Sequence, residues 1–318
     1  MLFYIINPLV NALVATILGF IVYFRNRKQL VNKVFALFCG AVAIWSYAYF
    51  AWFLLKDKNL ILLNHRFFLM GASIFIAILF FHSILAFTNK IKQYKKLLIG
   101  GYVIFFFFLL TDYFTPFIVK NVQKELFFEF WPKAGVLLAP FLAVWYFYLL
   151  LSAYIIVKEI KRTSADASYK AQLKYILVGA IIGFIGATPN YFLWYGIMIP
   201  PVTNFLGAVG MIIVACGIAK HHLFNIKLLI SELLVFSIWI FVIARVVLSS
   251  NYQEFWINGV LAFLVFMAGI MLMRSVSKEI EIDKKLLQES QKNLDFEKRL
   301  RETYAEIAEK EIKSKYFR

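Results

Sequence analysis

Charged residues are scarce in this sequence of 318 residues. Only 16% of the residues are Asp, Glu, Lys or Arg, whereas 62% are hydrophobic and 19% are aromatic. Soluble domains carry roughly 25% charged residues, and a water-soluble domain of this length could not remain in solution with so much apolar surface. The composition therefore excludes an ordinary soluble protein and predicts an all-α, polytopic membrane protein in contact with the lipid bilayer.

Cysteine is almost missing from the sequence. Cys39 and Cys216 both lie inside apolar runs, and neither belongs to a C-x-x-C pair. A free cysteine in such a place behaves as a small apolar residue. We therefore expect neither a disulfide nor a metal site, and the sequence suggests no cofactor.

Acidic residues are also few, which leaves a formal net charge of +16. The basic residues lie in short loops between apolar runs, where they set the topology of a membrane protein. No soluble basic domain is available to bind a phosphate backbone, so a nucleic-acid partner is not expected. Ten of the 18 acidic residues follow Arg274, which marks a domain boundary.

Apolar runs long enough to cross a membrane recur along the chain. A helix needs about 20 residues to span roughly 30 Å of hydrocarbon. By this measure the sequence predicts a bundle of about nine transmembrane helices. They are expected near 3–24, 34–55, 66–88, 97–118, 134–157, 175–195, 203–219, 230–248 and 255–273.

The loop charges predict the orientation of this bundle in the cell membrane. With the N-terminus outside, the inner loops hold 15 Lys and Arg residues and the outer loops and helix mouths hold six. Positive residues favour the cytoplasmic side. We therefore expect a multi-pass protein with an outer N-terminus and a cytoplasmic C-terminus.

Strongly polar residues inside the predicted spans are candidate site residues, because they are costly in lipid. Asp112, Asn190 and Asn204 all fall in the outer third of their spans. Together with Trp194 they could bind an unknown small ligand in a pocket that opens outward. The alternative is hydrogen bonding between helices combined with an aromatic interface belt. No catalytic residue is predicted.

The outer loop 120–133 mixes aromatic residues with charges. Phe127, Phe128, Phe130 and Trp131 alternate there with Lys and Glu. Such a segment could anchor at the membrane interface through its aromatic side chains, or it could cover the end of the bundle. The sequence leaves both possibilities open.

The charged tail 274–318 predicts one long cytoplasmic helix, since it contains neither Gly nor Pro. Apolar residues at a spacing of 3.5 would form the seam of a dimeric coiled coil that transmits a signal. The seam is weak and shifts in phase towards its end, so a solvated single helix with pairs such as Glu281–Lys285 is the alternative. The candidate transmission residues are Val276, Ile280, Leu287, Leu294, Leu300 and Ile307.

Three segments carry a resemblance to a known family. They are NKVFALFCGAVAIWSYAYF, YKAQLKYILVGAIIGFIGATPNYFL and GIAKHHLFNIKLLISELL. These segments resemble the N-terminal seven-helix sensor region of bacterial membrane histidine kinases. The resemblance covers about 1–225. The two additional spans predicted in 226–273 and the signalling helix predicted in 274–318 resemble the connector that some of these kinases place before their catalytic module. Members of the family sense through the membrane region and signal through an attached domain.

The sequence departs from a complete histidine kinase. Its four histidines are His65, His82, His221 and His222, so none lies in the charged tail, and the tail lacks the Gly-rich boxes of an ATP-binding domain. The expected function is therefore that of a membrane sensory region whose kinase or other output domain is separate or missing. A small-molecule transporter or channel subunit is the alternative.

Overall fold

The chain folds into two compact units, Met1–Phe224 and Asn225–Arg318. The computed structural model describes residues 2–162, 167–218 and 251–316, together with positions 231, 234, 235, 238, 239, 242, 243, 246 and 249.

Eight α-helices form the described part of the first unit. A π-helix, His65–Met70, joins the third helix to the fourth, and short 3₁₀ turns at Thr188–Tyr191, Leu193–Tyr195 and Val202–Phe205 lie between the last two. The helices are α1 (Leu2–Arg25), α2 (Leu30–Leu54), α3 (Lys58–Asn64), α4 (Gly71–Phe87), α5 (Lys95–Phe114), α6 (Leu138–Arg162), α7 (Ala167–Ala187) and α8 (Leu206–Ile218).

Seven helical stretches among the described residues are long and apolar enough to cross a membrane, which confirms the predicted fold class of a helical membrane bundle. Six belong to the first unit, and Tyr252–Glu279 belongs to the second. The predicted span 203–219 corresponds to a shorter apolar helix, Val202–Ile218. The predicted span 230–248 falls largely on residues outside the described ranges, so it stays a prediction.

Six helices of the first unit pack side by side into a closed ring. Their order is α1, α2, α4, α6, α7 and α8, and α8 returns to contact α1. We call this arrangement the helix ring. Helix α5 is not part of the ring and does not line its interior. It packs against α4 and the π-helix, and its aromatic side chains contact α6.

Helices α7 and α8 approach each other closely because glycine lines their contact. A Cβ atom on Gly210 would lie 2.5 Å from the carbonyl oxygen of Gly179 and 2.6 Å from the Cα of Gly183. No side chain larger than hydrogen fits at Gly210. Small residues of this kind allow membrane helices to gain close van der Waals contact, which the hydrophobic effect does not supply in lipid.

The connection between α5 and α6 forms a β-hairpin, which was not predicted from the sequence. Strands β1 (Val119–Glu125) and β2 (Phe128–Ala134) pair in antiparallel fashion. Phe128 and Trp131 are only 1% exposed, and the ring centroid of Trp131 lies 4.8 Å from that of Trp52 on α2. The hairpin therefore covers the end of the bundle, while Phe127 remains half exposed.

The described part of the second unit is dominated by one helix, α9 (Tyr252–Tyr316), which is 65 residues long. It passes through the apolar-to-charged boundary at 273/274 without a break. Leu294 and Leu300 are exposed, and Val276 is half-buried. The side chains of Ile280, Leu287 and Ile307 lie outside the described part of the structure. Pairing of this helix into a coiled coil stays a prediction.

Candidate ligand-binding cavity

The helix ring encloses a cavity. It contains about 930 Å³ of space between atoms, part of which is open to the surroundings. Residues from all six ring helices line it, together with residues of the π-helix, strand β2 and the 3₁₀ turns after α7. Small-molecule sites in helical proteins typically lie between the helices of a bundle, so this cavity is the candidate ligand site.

Aromatic side chains form most of the wall. The indole of Trp52 lies edge to face with the imidazole of His65, with ring centroids 4.5 Å apart. Such geometry places the positive edge of one ring on the negative face of another. Five of the seven tryptophans line the cavity: Trp45, Trp52, Trp131, Trp145 and Trp194.

Three asparagines form one polar group on the wall. The side-chain nitrogen of Asn190 donates to the side-chain oxygen of Asn204 at 3.0 Å and to the carbonyl of Ala187 at 2.9 Å. Asn11, on α1, donates to the backbone oxygen of Asn204 at 3.0 Å. Its own side-chain oxygen accepts from the backbone N–H of Ala208 at 2.9 Å. These bonds join α1, α7 and α8 at the cavity.

A second polar group comes from the π-helix. His65 is fully buried, and its Nδ1 atom lies 2.9 Å from the carbonyl oxygen of Ile61. Because a carbonyl only accepts hydrogen bonds, Nδ1 carries the proton in this contact. The π-helix adds a residue to the helical turn, which is a common device at functional sites.

The cavity wall is uncharged. No Asp, Glu, Lys or Arg lines it in the described part of the chain. Within the same residues, no group of three or more His, Cys, Asp or Glu side chains is arranged to hold a metal ion. The wall can therefore offer aromatic contact and neutral hydrogen bonds, and it offers no ion pair.

Three of the four predicted ligand-binding residues, Asn190, Trp194 and Asn204, come together on this wall. Asp112 does not, because it lies on α5, outside the helix ring. Its carboxylate is fully buried and has no partner with hydrogen-bond geometry among the described residues. The backbone of Val119 and the guanidinium of Arg66 are the polar groups near it. A binding role for Asp112 stays a prediction.

Asn11, His65 and Trp131 also line the cavity, and they were not predicted from the sequence. Asn11 could have been found, since it is a strongly polar residue in the middle of the first apolar run. His65 lies at the predicted mouth of the third span, and only the earlier start of that helix at Lys58 brings it inside. Trp131 reaches the cavity because the hairpin folds over the bundle, which no local pattern in the sequence indicated.

A bundle of membrane-length helices around an internal cavity defines a multi-pass membrane protein. Residues 8–227 match the family described as the N-terminal 7TM region of histidine kinase. The chain belongs to this family, which confirms the resemblance seen in the sequence, and no kinase module is evident in the chain. No curated protein and no solved structure matches the chain significantly.

Proposed function

We propose that this chain is the sensory region of a signalling protein, which binds a small molecule in the cavity and passes a signal through the bilayer to α9. The observation that carries the proposal is the uncharged aromatic cavity enclosed by the helix ring, within the part of the chain that matches the sensor family. The residues proposed to contact the ligand are Asn190, Trp194 and Asn204.

The hydrogen bonds of the cavity support a binding role. Asn190 and Asn204 bridge the end of α7 and the start of α8, and Asn11 extends the bridge to α1. A ligand that competes for these bonds would change how the three helices are held. A ligand can shift an equilibrium between two conformations only when its contacts with the protein differ between them.

The form of α9 supports a role in transmission. The helix begins in an apolar stretch of membrane length and continues without a break into the charged tail. A continuous helix can carry a rotation or translation from the membrane to an output domain. The positive-inside distribution of Lys and Arg in the loops favours an outer N-terminus and a cytoplasmic tail.

We further propose that two copies of the chain associate through the tail. Leu294 and Leu300 are exposed in the single chain, and apolar side chains in a charged helix gain burial when a second copy covers them. The proposed seam is Val276, Ile280, Leu287 and Leu294, followed by Leu300 and Ile307 after the phase shift. An output domain, such as a kinase, would receive the signal from this tail.

Cysteine crosslinking in native membranes tests the proposal. Leu294→Cys is introduced on the proposed seam of a chain in which Cys39 and Cys216 are replaced by alanine. We expect a disulfide between two chains at least about fivefold more efficient than for Lys292→Cys, because position 292 lies on the opposite face of the heptad. Equal crosslinking at the two positions would contradict the parallel dimer.

A second arm of the same experiment tests transmission. Asn190→Leu replaces a polar group of the cavity wall and is expected to change the crosslinking yield at position 294. Asn59→Leu, the matched change at an exposed position of α3, is expected to leave the yield unaltered. If Asn190→Leu folds normally and leaves the yield unchanged, the cavity does not communicate with the tail.

A further inference from the structure

Four side chains on the cavity wall carry a buried polar atom with no hydrogen-bond partner among the described residues. The atoms are the hydroxyl oxygen of Tyr49, Nε2 of His65, Nε1 of Trp131 and Oδ1 of Asn190. All four residues are at least nine-tenths buried. Protein interiors pair nearly all such atoms, so four unpaired atoms around one cavity indicate partners that the protein itself does not supply.

Two of these atoms are acceptors. The side-chain nitrogen of Asn190 donates to two oxygens, from Ala187 and Asn204, and this fixes its Oδ1 as the acceptor that remains free. His65 donates from Nδ1 to the Ile61 carbonyl. In a neutral imidazole the other nitrogen, Nε2, is then an acceptor. A molecule in the cavity must bring O–H or N–H donors to satisfy them.

The other two atoms can donate. The indole Nε1–H of Trp131 is a donor only, and the Tyr49 hydroxyl can donate or accept. Trp131 and His65 both contact the ring of Trp52, with centroid distances of 4.8 Å and 4.5 Å. A donor and an acceptor thus flank one aromatic surface. A hydroxyl group of a ligand can satisfy either kind of atom, because it both accepts and donates hydrogen bonds.

The remaining wall selects for shape and charge. The wall consists largely of tryptophan, tyrosine and phenylalanine rings. These rings favour a ligand with a flat ring system, which can stack on them or meet them edge to face. The absence of charged side chains among the described lining residues disfavours an ion, because a buried charge without a partner is costly. Water could satisfy individual polar atoms, but it would gain little from the extended aromatic surface.

We infer that the cavity binds an uncharged, flat ring molecule that carries a hydroxyl or N–H group, held by His65 and Asn190 as acceptors and by Trp131 and Tyr49 as donors. This inference rests on the proposed sensory function for its biological meaning, and it adds the chemical class of the ligand. The hydroxyl or N–H group distinguishes this class from plain hydrocarbons, and neutrality distinguishes it from carboxylates and from protonated amines.

Three related probes test this class by calorimetry on the full chain in phosphatidylcholine nanodiscs, with empty nanodiscs as the blank. They are 2-naphthol, naphthalene and 2-naphthoate, which share one ring system and differ in polarity and charge. We expect saturable binding of 2-naphthol with a Kd at least about tenfold below that of naphthalene, as two hydrogen bonds would give. We expect no saturable binding of 2-naphthoate.

Two variants connect the binding to the unpaired atoms. His65→Phe removes the acceptor, and Trp131→Phe removes the N–H donor while it keeps an aromatic ring. Each is expected to raise the Kd of 2-naphthol about three- to tenfold. His82→Phe is the matched control, because His82 bonds to Tyr102 away from the cavity, and it should leave the Kd unchanged. Helical circular dichroism checks that each variant folds.

The inference is overturned if 2-naphthol binds no better than naphthalene and both cavity variants leave its Kd unchanged. It is also overturned if 2-naphthoate binds tightest, or if no probe saturates. These results are separate from the crosslinking of Leu294→Cys, which needs no ligand. If the probes fail but Asn190→Leu still changes the crosslinking yield at position 294, the ligand class alone is rejected. If Asn190→Leu leaves that yield unchanged, the proposed signalling from the cavity to the tail is rejected.

Discussion

The side-chain amide of Asn190 donates a hydrogen bond to the side-chain oxygen of Asn204 over an N···O distance of 3.0 Å. Both residues are buried, and the bond closes the turn region that connects α7 to α8. Asn11 holds the same turn by donating to the backbone oxygen of Asn204. One side-chain pair therefore fixes the geometry of two ring helices beside the cavity.

A double-mutant cycle measures the strength of this pair. We expect Asn190→Ala and Asn204→Ala to be coupled by about 0.5 to 1.5 kcal/mol in the free energy of unfolding, the usual range for a hydrogen bond between membrane helices. The backbone oxygen that accepts from Asn11 remains in both variants. A parallel cycle of Asn190→Ala with Asn59→Ala should show no coupling, and equal couplings in the two cycles would contradict the prediction.

The contact between α7 and α8 predicts that alanine destabilises the protein at Gly210 and is tolerated at Gly183. Gly210→Ala would place a Cβ 2.5 Å from the Gly179 carbonyl oxygen, so the helices must separate. We expect a loss of about 1 to 3 kcal/mol in the free energy of unfolding, as for other overpacked positions. Denaturant titration of the protein in detergent micelles measures this loss.

Gly183→Ala is the matched control in the same contact. Its new Cβ would lie 3.5 Å from the nearest atom, the Cα of Gly210, which is ordinary van der Waals contact. Alanine also has the higher helix propensity, so this variant should be neutral or more stable by up to about 1 kcal/mol. If Gly183→Ala destabilises the protein as much as Gly210→Ala does, the space for a methyl group at Gly183 does not exist.

The sequence was sufficient to predict seven membrane-length helices and part of the cavity, whereas the predicted span 203–219 is a shorter helix. Apolar length alone located the spans, because a helix in lipid must be apolar over the whole hydrocarbon thickness. Asn190 and Asn204 were recognised because a buried amide in lipid needs a partner, and the structure pairs them with each other. Asp112 satisfied the same criterion, yet it belongs to α5, and the position of α5 outside the ring depends on packing that no local pattern encodes.

The β-hairpin and the buried position of His65 could not be predicted for a different reason. The segment 119–134 carries both charged and aromatic residues, and its alternation became meaningful only once Phe128 and Trp131 were seen to pack on the bundle. His65 is buried because α3 and the π-helix extend the span at its beginning. Both features depend on contacts between elements that are distant in sequence.

Acid should weaken the hairpin through Glu125. A hydrogen bond from Lys133 at 2.7 Å, helped by one from Gln123 at 2.9 Å, holds the pKa of the Glu125 carboxyl below its usual range. A lowered pKa in the folded state stabilises the fold above the unfolded pKa of about 4.3, and this contribution is lost as the pH falls through the folded pKa. Thermal unfolding between pH 7 and pH 3 measures the loss.

Replacing Glu125 by Gln tests the cause. We expect Glu125→Gln to lower the free energy of unfolding by about 1 kcal/mol at pH 7 and to reduce its fall below about pH 4. Glu129→Gln is the control on the same hairpin, because Glu129 is exposed and has no ion pair within the described residues. If Glu125→Gln leaves the loss of stability at low pH unchanged, that loss arises from another titrating group.

Lys90 and Glu159 form an ion pair that fastens the connection after α4 to the end of α6. The Lys90 ammonium lies 2.5 Å from one oxygen of Glu159, and both side chains are largely buried. Arg162 reaches the other oxygen at 3.2 Å but is itself exposed. Lys90→Met leaves the Glu159 carboxylate buried with one solvated partner, and we expect a loss of about 3 kcal/mol in the free energy of unfolding.

Adding Glu159→Leu should restore part of this loss, since the unpaired charge is then gone. Lys92→Met, at an exposed position of the same connection, should have almost no effect. If Lys90→Met lowers the free energy of unfolding no more than Lys92→Met does, the ion pair does not hold the connection after α4 to α6.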